Sequence, residues 1–389
     1  MDFALTPAQE ALRARVRALC GQFPDAYWRR LDQERAHPEE FVQALTASGY
    51  LAALIPREYG GLGLGVTEAS IVLEEINRSG GSSAACHAQL YIVAALVRHG
   101  STDQKARWLP EIAAGRLRLQ AFSVTESEAG SDTTSISTLA RREGDGYIVN
   151  GHKNWTSRIE HSDLLLLLAR TVPRGDVADR THGLSLFLVD LREARQQPGA
   201  LQARRVRTMF NYETYQVAYR DLRLPAESLI GEEGRGFRYI IDGWNAERIL
   251  LAAECIGDGA WFIERAARYA RERTVFGRPI GQNQGVQFPL ARAHAALVAA
   301  DLLRYKAAWL FDTGQRCGAE ANMAKLLASE ASWAAANACL DTHGGNGFVD
   351  EYDVERKFRE TRLFQVAPVN NNLVLAYVGQ HVLGLPKSY

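Results

Sequence analysis

Apolar residues recur at helical spacing through the first third of the chain. The run PAQEALRARVRALC repeats apolar positions three and four residues apart, and Thr6 precedes Pro7 as an N-cap hydroxyl before a first-turn proline. The same period predicts further helices in EEFVQALTASGYLAAL, TEASIVLEEINRSG, AQLYIVAALVRHG and DQKARWLPEIAAG. We therefore expect residues 1–118 to form an N-terminal helical domain.

The pattern changes near Leu119 to short alternating runs separated by Gly, Asp and Asn. Such alternation favours strands, and REGDGYIVNG has the turn chemistry of a β-hairpin. Helical periodicity returns after GEEGRGF and predicts long helices at 237–272, 285–312, 318–342 and 369–383. We therefore expect a middle β domain over residues 119–232 and a C-terminal helical bundle over residues 233–389.

Composition narrows the class of protein without naming a ligand. The chain has 389 residues, of which 47% are hydrophobic, so it can form two or three cores and is too apolar to be disordered. Lysine plus arginine equals aspartate plus glutamate at 45 each, so the net charge is zero. No global field favours nucleic acid or an anionic membrane, and we expect neither as a partner.

Cysteine usage and the N-terminal sequence bear on the cellular compartment. The five cysteines are scattered and lack CxxC or Cys/His metal spacing, so we expect them to be reduced and predict no metal site. The N-terminal stretch carries charges within its apolar period, unlike a secretory signal, and LLLLLA is too short to cross a bilayer. These features predict a soluble, cytoplasmic protein.

Two stretches of the middle domain carry groups that could hold a ligand. FSVTESEAGSD follows a strand, and its small residues would let backbone N–H groups approach a ligand while Thr125 and Ser131 donate hydrogen bonds. In GHKNWTSR, Trp155 and Ser157 stand two apart on a predicted strand, which would place both on one face beside a flat ring. A solvated turn and a core tryptophan are the structural alternatives.

Glu247 and Arg248 interrupt the otherwise apolar stretch WNAERILLAAE in the first long helix of the bundle. At helical spacing, Glu247 has Trp244 three residues before it and Leu250 three residues after it. Burial in such company would raise the carboxyl pKa toward the range that suits a general base. The alternative is an ion pair with Arg248, Arg273 or another cation.

Six motifs follow one another along the chain: VTESEAGSD, KNWTS, GEEGRGF, RTVFGRPI, HGGNGFVDEYDVER and RETRLFQ. In this order they resemble the acyl-CoA dehydrogenase family over nearly the whole chain. The resemblance implies an N-terminal all-α domain, a middle β domain and a C-terminal four-helix bundle, with FAD between the β domain and the bundle. It also implies a homotetramer or homodimer, an acyl-CoA or other acyl thioester as substrate, and an electron-transferring flavoprotein as electron acceptor.

The resemblance implies a role at the flavin or the substrate for most of the candidate residues. The flavin and its pyrophosphate would be held by Phe122, Val124, Thr125, Gly130 and Ser131. Trp155 would cover one flavin face, and Ser157 would hydrogen-bond at the N5 edge. The adenine half, bound to a neighbouring subunit, would meet Arg273, Phe276, Gln284, Gly344 and Gly345. Asn370 and Asn372 would complete the cofactor site, and the thioester would contact Ser131, Asn245 and Arg248.

The family reaction requires a base, and the resemblance implies that this base is Glu247. Many members carry this glutamate after the last glycine motif, at the position of Pro368 here, where no carboxylate is present. A smaller set, including the isovaleryl-CoA and long-chain enzymes, carries it immediately before an arginine on the first bundle helix, as Glu247 and Arg248 stand here. Glu254 is the nearby rival, but it lies about two turns, roughly 10 Å, further along the helix.

Departures from the family pattern raise two questions about the ligand contacts. Asp341 stands where glutamine is usual, and an acid beside a pyrophosphate is unfavourable. Pro368 has no N–H to polarise the thioester carbonyl, a loss that could cost about 3 kcal/mol in the transition state. Either the N–H of Val369 takes that place or the chemistry is less demanding than usual.

The resemblance implies oxidation of an acyl-CoA between its α and β carbons. Alternatives that keep the fold and the flavin are an elimination from an activated acyl-CoA or the oxidation of a carrier-protein thioester. A non-catalytic, nucleic-acid-associated relative is a third possibility, but the chain has no Lys/Arg-rich tail after LGLPKSY. The resemblance also implies that the helices SSAACHAQLYIVAAL and WNAERILL flank the acyl pocket, which Tyr91 and Trp244 would bound. His87 and Gln89 could meet a polar acyl group or be satisfied core residues.

Overall fold

The computed structural model describes residues 4–387 and confirms the predicted order of a helical domain, a β domain and a helical bundle. The first domain contains α1 (Pro7–Cys20), α2 (Asp25–Glu34), α3 (Glu39–Ala47), α4 (Val66–Arg78), α5 (Ala88–His99) and α6 (Thr102–Ala113). Thr6 caps α1 as predicted, because its side chain accepts a hydrogen bond from the Gln9 N–H. Residues 1–3 and 388–389 of the predicted terminal domains lie outside the described range, and the domain boundaries stay predictions.

Helix α2 was not predicted from the sequence. It begins after Pro24 without a side-chain cap, so the usual start signal is missing. Its helical conformation is stabilised by the burial of Trp28 and Leu31, which lie three residues apart on one face.

The middle domain is built on one sheet of eight strands. The strands are β1 (Leu119–Ser123), β2 (Leu139–Glu143), β3 (Gly146–Ser157), β4 (Leu164–Arg170), β5 (Leu184–Asp190), β6 (Leu201–Val206), β7 (Thr214–Pro225) and β8 (Leu229–Ile230), with the short α7 (Leu191–Ala194) after β5. Their order is β6-β7-β3-β2-β4-β5-β8, and β1 pairs with β4 in parallel. The predicted hairpin is β2 with β3, in which Glu143 pairs with Gly146. This sheet presents the carboxyl end of β1 to the helices.

The bundle begins with the longest helix, α8 (Gly236–Glu272). It continues through the short strands β9 (Thr274–Val275) and β10 (Arg278–Pro279), then α9 (Gln284–Asp312), α10 (Gly318–His343), α11 (Val354–Thr361) and α12 (Asn371–Tyr377). The helix predicted at 369–383 begins instead at Asn371, because Asn370 caps it through Leu373 N–H at 2.9 Å, and it ends in a π-helical turn at Val378–Val382.

Packing of α8 against the other two domains positions the candidate site. A Cβ at Gly257 would lie 2.3 Å from the Glu74 carbonyl oxygen, so only glycine allows α8 to approach α4 so closely. One hydrophobic core joins α5, β1, β4 and β5 to the start of α8. Glu247 therefore lies where α8 passes the first strand. Within residues 4–387, none of the helices combines the length and hydrophobicity needed to span a bilayer.

Candidate active site

Glu247 lies at the wall of a mainly apolar pocket of about 270 Å³, a volume that includes the space at its opening. The other lining residues are Tyr91, Ile92, Ala95, Phe122, Leu166, Tyr239, Ile240, Gly243 and Trp244. They come from α5, β1, β4 and α8, so the pocket forms where the three domains meet. The sequence prediction of apolar neighbours around Glu247 is confirmed.

The carboxyl group of Glu247 has an unusual electrostatic environment. The residue is 6% exposed, and no Lys, Arg or His nitrogen of residues 4–387 lies within 4 Å of its oxygens, so the ion-pair alternative is wrong. Burial raises the pKa of Glu247 to about 7, opposed by the charge of Arg248 and reinforced by Glu254. A carboxyl group with this pKa can accept and release a proton near neutral pH.

Arg248 and Asn245 flank the Glu247 turn of α8 as half-buried residues. The Arg248 guanidinium carbon lies 5.7 Å from the centre of the Trp244 ring, and its Nε has no hydrogen-bond partner within residues 4–387. Burial lowers the pKa of Arg248, while the Glu247 charge opposes that shift. The structure thus leaves a hydrogen-bond donor of Arg248 free near the base.

Tyr91 is a site residue that sequence reasoning assigned only to the pocket wall. Its hydroxyl interacts with the Glu247 carboxyl and lowers the pKa of that group. The signal in the sequence was its place on α5, which the resemblance set beside the acyl pocket. Nearby, His87 Nδ1 lies 2.7 Å from Glu254 Oε1, and Gln89 Nε2 donates to the Leu51 carbonyl at 3.2 Å. His87 and Gln89 are therefore satisfied core residues, and Glu254 is occupied by His87.

A buried ion pair that the sequence did not reveal holds the loop after β1. Lys153 Nζ lies 2.9 Å from Glu126 Oε1 and donates to the Val124 carbonyl at 2.7 Å. The Asn154 N–H donates to the Thr125 carbonyl at 2.8 Å. The loop is thus fastened to β3 through its carbonyls. The N–H and hydroxyl of Thr125 have no partner within residues 4–387 and are free for a ligand.

Trp155 and Ser157 do not follow the simple alternation that was predicted. A β-bulge between Lys153 and Thr156 interrupts the pairing of β3 with β7, and Trp155 adopts a left-handed φ of 61°. Trp155 is 56% exposed, whereas Ser157 is buried. The bulge interrupts the strand alternation on which the prediction rested, so the placement of both beside a flat ring stays a prediction. The bulge instead projects a large aromatic surface beside a buried hydroxyl.

Asn370 links the loop after β1 to the bundle. Its Nδ2 donates to Ser131 Oγ at 3.0 Å, while its Oδ1 caps α12. Gly130 and Ser131 are exposed, and a Cβ at Gly130 would meet no atom within 4 Å. Asn372, the second residue of α12, is also exposed. These candidate residues thus border a single opening between the middle domain and the bundle.

The loop around Pro368 is held by a buried lysine. Lys325 Nζ donates to the Val369 carbonyl at 2.6 Å and to Asn371 Oδ1 at 2.9 Å. Burial lowers the pKa of Lys325 to about 8, and the charge of Glu247 acts in the opposite direction. Pro368 has no N–H, whereas the N–H of Val369 is without an acceptor in the described part of the chain. The N–H of Val369 is therefore free to take the place of the N–H that Pro368 lacks.

A second group of candidate residues lies at the far end of α8, around Tyr269. The Arg273 N–H donates to the Tyr269 carbonyl at 2.8 Å, and Asn346, next to the glycine pair, donates to the Tyr269 hydroxyl at 2.9 Å. The exposed members are Arg273, Phe276, Gln284, Asp341, Gly344 and Gly345. Within residues 4–387, no hydrogen bond or ion pair joins this group to the Glu247 pocket. Its predicted contact with the nucleotide of a neighbouring subunit stays a prediction.

The residues around the first group fit a flat, hydrogen-bonding cofactor such as a flavin. Trp155 offers an exposed ring, and Thr125 offers two donors that lack partners. Unpaired donors beside an aromatic surface suit a conjugated ring that carries nitrogen and oxygen acceptors. The chemistry of these groups therefore agrees with the cofactor that the resemblance implies.

Comparison with known proteins identifies the family. Models of the acyl-CoA dehydrogenase N-terminal, middle and C-terminal domains match residues 6–116, 121–221 and 234–382. Acyl-CoA dehydrogenase FadE12 of Mycobacterium tuberculosis is 35% identical over 392 residues, covering 100% of this chain and 99% of that protein. The structure of glutaryl-coenzyme A dehydrogenase with glutaryl-CoA matches with a TM-score of 0.92 and 29% identity, covering 100% of this chain and 98% of that one. PigA with FAD and proline matches with a TM-score of 0.91 and 25% identity, covering 99% and 100%. The chain belongs to the acyl-CoA dehydrogenase family.

Proposed function

We propose that this enzyme uses FAD to desaturate an acyl-CoA thioester between its α and β carbons, and that it passes the electrons to an electron-transferring flavoprotein. Glu247 is the base that removes the α-proton. The observation that carries the proposal is the unpaired, buried carboxyl group of Glu247 at an apolar pocket. A carboxyl group without a charged partner, in such a place, is disposed to exchange a proton with a bound ligand.

The neighbours of Glu247 support its role. Because burial raises the pKa of Glu247 to about 7, the carboxylate is basic enough to accept a proton and still ionised in part at neutral pH. Arg248 and Tyr91 favour the ionised form and keep it from being lost altogether. Ile92, Leu166 and other apolar side chains of the wall exclude water from the carbon that is deprotonated.

Residues of the loop after β1 would hold the cofactor. The free N–H and hydroxyl of Thr125 would donate to the flavin ring, Trp155 would cover one face, and Ser157 would hydrogen-bond at the N5 edge. FAD, when bound, supplies the acceptor for the hydride that leaves the β carbon. Val124 and Thr125 are fixed for this task by Lys153 and Asn154, which bind their carbonyls.

The thioester carbonyl needs a donor that Pro368 cannot supply. The N–H of Val369 is free, and Lys325 restrains the same residue through its carbonyl. We assign the N–H of Val369 to the thioester oxygen, where it would stabilise the negative charge that develops as Glu247 removes the proton. Ser131, Asn245 and Arg248 would complete the contacts to the thioester and its CoA.

Partners and compartment follow from the same proposal. The exposed Phe276, Phe288 and Trp309 of the bundle fit burial against further copies of the chain in a homotetramer or homodimer. All five cysteines are free and buried, as expected for a protein of the reducing cytoplasm.

Anaerobic mixing of the holoenzyme with straight, branched and carboxylated acyl-CoAs tests the reaction. At least one thioester should bleach the flavin absorbance, and Glu247→Gln should slow that bleaching by several orders of magnitude. Glu264→Gln is the matched control, because Glu264 is an exposed residue of the same helix. If no thioester bleaches the flavin, or Glu247→Gln bleaches as fast as the wild type, the proposal fails.

Product analysis distinguishes the related reactions. Desaturation releases one product per flavin when no electron acceptor is present, whereas an elimination turns over without reoxidation. Mass spectrometry of the products therefore separates the two, and bleaching by a carrier-protein thioester but not by any acyl-CoA would indicate a different thioester carrier.

A further inference from the structure

Arg158 is a buried cation without a carboxylate partner. The residue follows Ser157 in a left-handed conformation and is only 4% exposed. Its Nε donates to the Gln120 carbonyl at 3.3 Å, and its Nη1 donates to the Ala84 carbonyl. Its side chain also hydrogen-bonds with Tyr212, and no carboxylate oxygen of residues 4–387 lies within 4 Å of the guanidinium. A buried charge left in this state is costly unless something else neutralises it.

Arg170 is a buried arginine with a purely structural role, and it serves as a comparison for Arg158. It is 2% exposed and also lacks a carboxylate partner, but all three of its nitrogens are occupied. They donate to the carbonyls of Ile136, Val172 and Thr134. Arg158 differs because it lines a cleft and because one of its partners is a tyrosine hydroxyl rather than a backbone carbonyl. Burial of a guanidinium therefore does not by itself explain Arg158.

The cleft beside Arg158 has a volume of about 460 Å³, including the space at its opening. Its acidic side chains are already engaged. Glu213 lies 2.7 Å from His37 and 3.1 Å from His161, and Asp32 lies 2.7 Å from Arg359. Glu360, the remaining acid, lies 3.0 Å from Arg356. Arg158 thus lines a cleft whose own carboxylates have other partners.

The Arg158 cleft and the Glu247 pocket both lie along α5 and the segment that leads into it. Ser157, proposed to meet the flavin edge, directly precedes Arg158 in the chain. Ala84 and Ala85 line the cleft just before α5 begins, and Tyr91 on α5 lines the Glu247 pocket. Tyr91 is influenced by both groups, because its pKa is raised by burial and by Glu247 but lowered by Arg158. Tyr91 therefore lies near both the base and the Arg158 guanidinium.

We propose that Arg158 binds a terminal carboxylate on the acyl group, so that the enzyme acts on short acyl-CoA thioesters of dicarboxylic acids. This inference rests on the function proposed above. The acyl group would pass along Tyr91, with its α carbon at Glu247 and its far end at the Arg158 fork. The hydroxyl of Tyr212 would contribute to the same subsite, since Arg158 lies over the Tyr212 ring at 5.8 Å.

A carboxylate fits this subsite better than a neutral polar group. The planar guanidinium presents N–H donors in a fork that matches two carboxylate oxygens, and the pair forms charge-assisted hydrogen bonds. A hydroxyl or amide would accept a hydrogen bond but would leave the buried charge uncompensated. Because Tyr91 interacts with both Glu247 and Arg158, we expect only a few carbons between the thioester and the carboxylate.

The experiment compares matched thioesters on the holoenzyme. Succinyl-, glutaryl- and adipyl-CoA are mixed anaerobically with the enzyme beside butyryl-, valeryl- and hexanoyl-CoA, which have the same carbon numbers. We expect one carboxylated thioester to reduce the flavin at least about tenfold more efficiently, as rate over dissociation constant, than its neutral counterpart, which is what one charge-assisted hydrogen bond contributes.

Variants separate recognition from stability. Arg158→Met should remove the preference for the carboxylated thioester and leave reduction by the neutral one within about threefold, since only the fork is lost. Arg170→Met, the matched buried control, should keep the preference. Flavin absorbance and the melting temperature show whether each variant is folded. If Arg158→Met does not retain FAD, the comparison of carboxylated and neutral thioesters on the wild type decides whether the enzyme recognises a carboxylate.

The outcomes distinguish this inference from the proposed reaction. A neutral thioester preferred at every chain length, or a carboxylate preference that survives Arg158→Met, overturns the assignment of Arg158 and leaves the desaturase proposal standing. Reduction by neither series overturns the proposed reaction and this inference together. Preference for a carboxylated thioester that disappears in Arg158→Met supports both.

Discussion

The pH dependence of substrate oxidation tests the role of Glu247 most directly. Burial raises the pKa of the Glu247 carboxyl from 4.5 to about 7. With a pKa of about 7, roughly one tenth of the molecules carry the ionised base at pH 6 and about nine tenths at pH 8, whereas a base of ordinary pKa would be ionised at both. Because only the ionised carboxylate accepts the α-proton, kcat/KM should rise about ninefold across this range and level off above it.

Substitutions around the carboxyl group should move this profile in opposite directions. The charge of Arg248 and the hydroxyl of Tyr91 lower the pKa of Glu247, and the charge of Glu254 raises it. Arg248→Met and Tyr91→Phe should therefore shift the rise in activity to higher pH, and Glu254→Gln should shift it to lower pH. The measurement is anaerobic stopped-flow reduction of the flavin at substrate concentrations well below saturation, where the profile reports groups of the free enzyme.

A matched control separates the enzyme from its substrate. CoA carries a phosphate monoester that titrates near about pH 6, and a rise caused by that group would fall at the same pH in every variant. Glu264→Gln, on the exposed part of the same helix, should reproduce the wild-type profile. A rate that is flat between about pH 6 and pH 8, or shifts with the wrong sign in the three variants, would refute the assignment of Glu247 as the base.

Two further changes test the supports of the site. Lys153→Met leaves Glu126 buried without its cation, so it should lower the free energy of unfolding by about 3 kcal/mol or more and weaken FAD retention. Lys306→Met, at an exposed ion pair, should change stability by about 1 kcal/mol or less; equal urea denaturation curves for both variants would contradict the argument. Asn370→Ala removes the cap of α12 and the bond to Ser131, so it should cost about 1 kcal/mol. Ser131→Ala removes the bond alone and should cost less. An equal loss of melting temperature in both variants would contradict this.

Local patterns predicted most of the secondary structure because they act over one or two turns. The N-cap at Thr6 and the apolar period of α1 are both contained in fifteen residues, and the helix begins and ends where they indicate. The hairpin of β2 and β3 follows from its glycine-containing turn in the same way. Glu247 could be placed among apolar neighbours because residues three and four apart share one face of a helix.

The remaining features depend on contacts between distant parts of the chain. The bulge at Trp155 requires the register of β7, which no local pattern specifies. Lys153 reads as a surface residue of an alternating strand, yet it is buried against Glu126, twenty-seven positions away. The roles proposed for Tyr91 and Arg158 depend on the packing that brings α5 and the end of β3 together. Charged residues whose partners lie far along the chain are the part of a site that sequence patterns do not locate.

Charge pairing distinguishes Glu247 from the other buried acids. Every other buried carboxylate of residues 4–387 has a cation or a histidine within 4 Å, including Glu126 with Lys153 and Glu254 with His87. Glu247 has none, and Arg158 lines a cleft without a carboxylate partner of its own. An unpaired acid and a cation without a carboxylate, both near Tyr91, would be costly in a protein that only had to fold. A ligand that delivers a proton to the first and a carboxylate to the second would satisfy both, and this links the reaction to the choice of substrate.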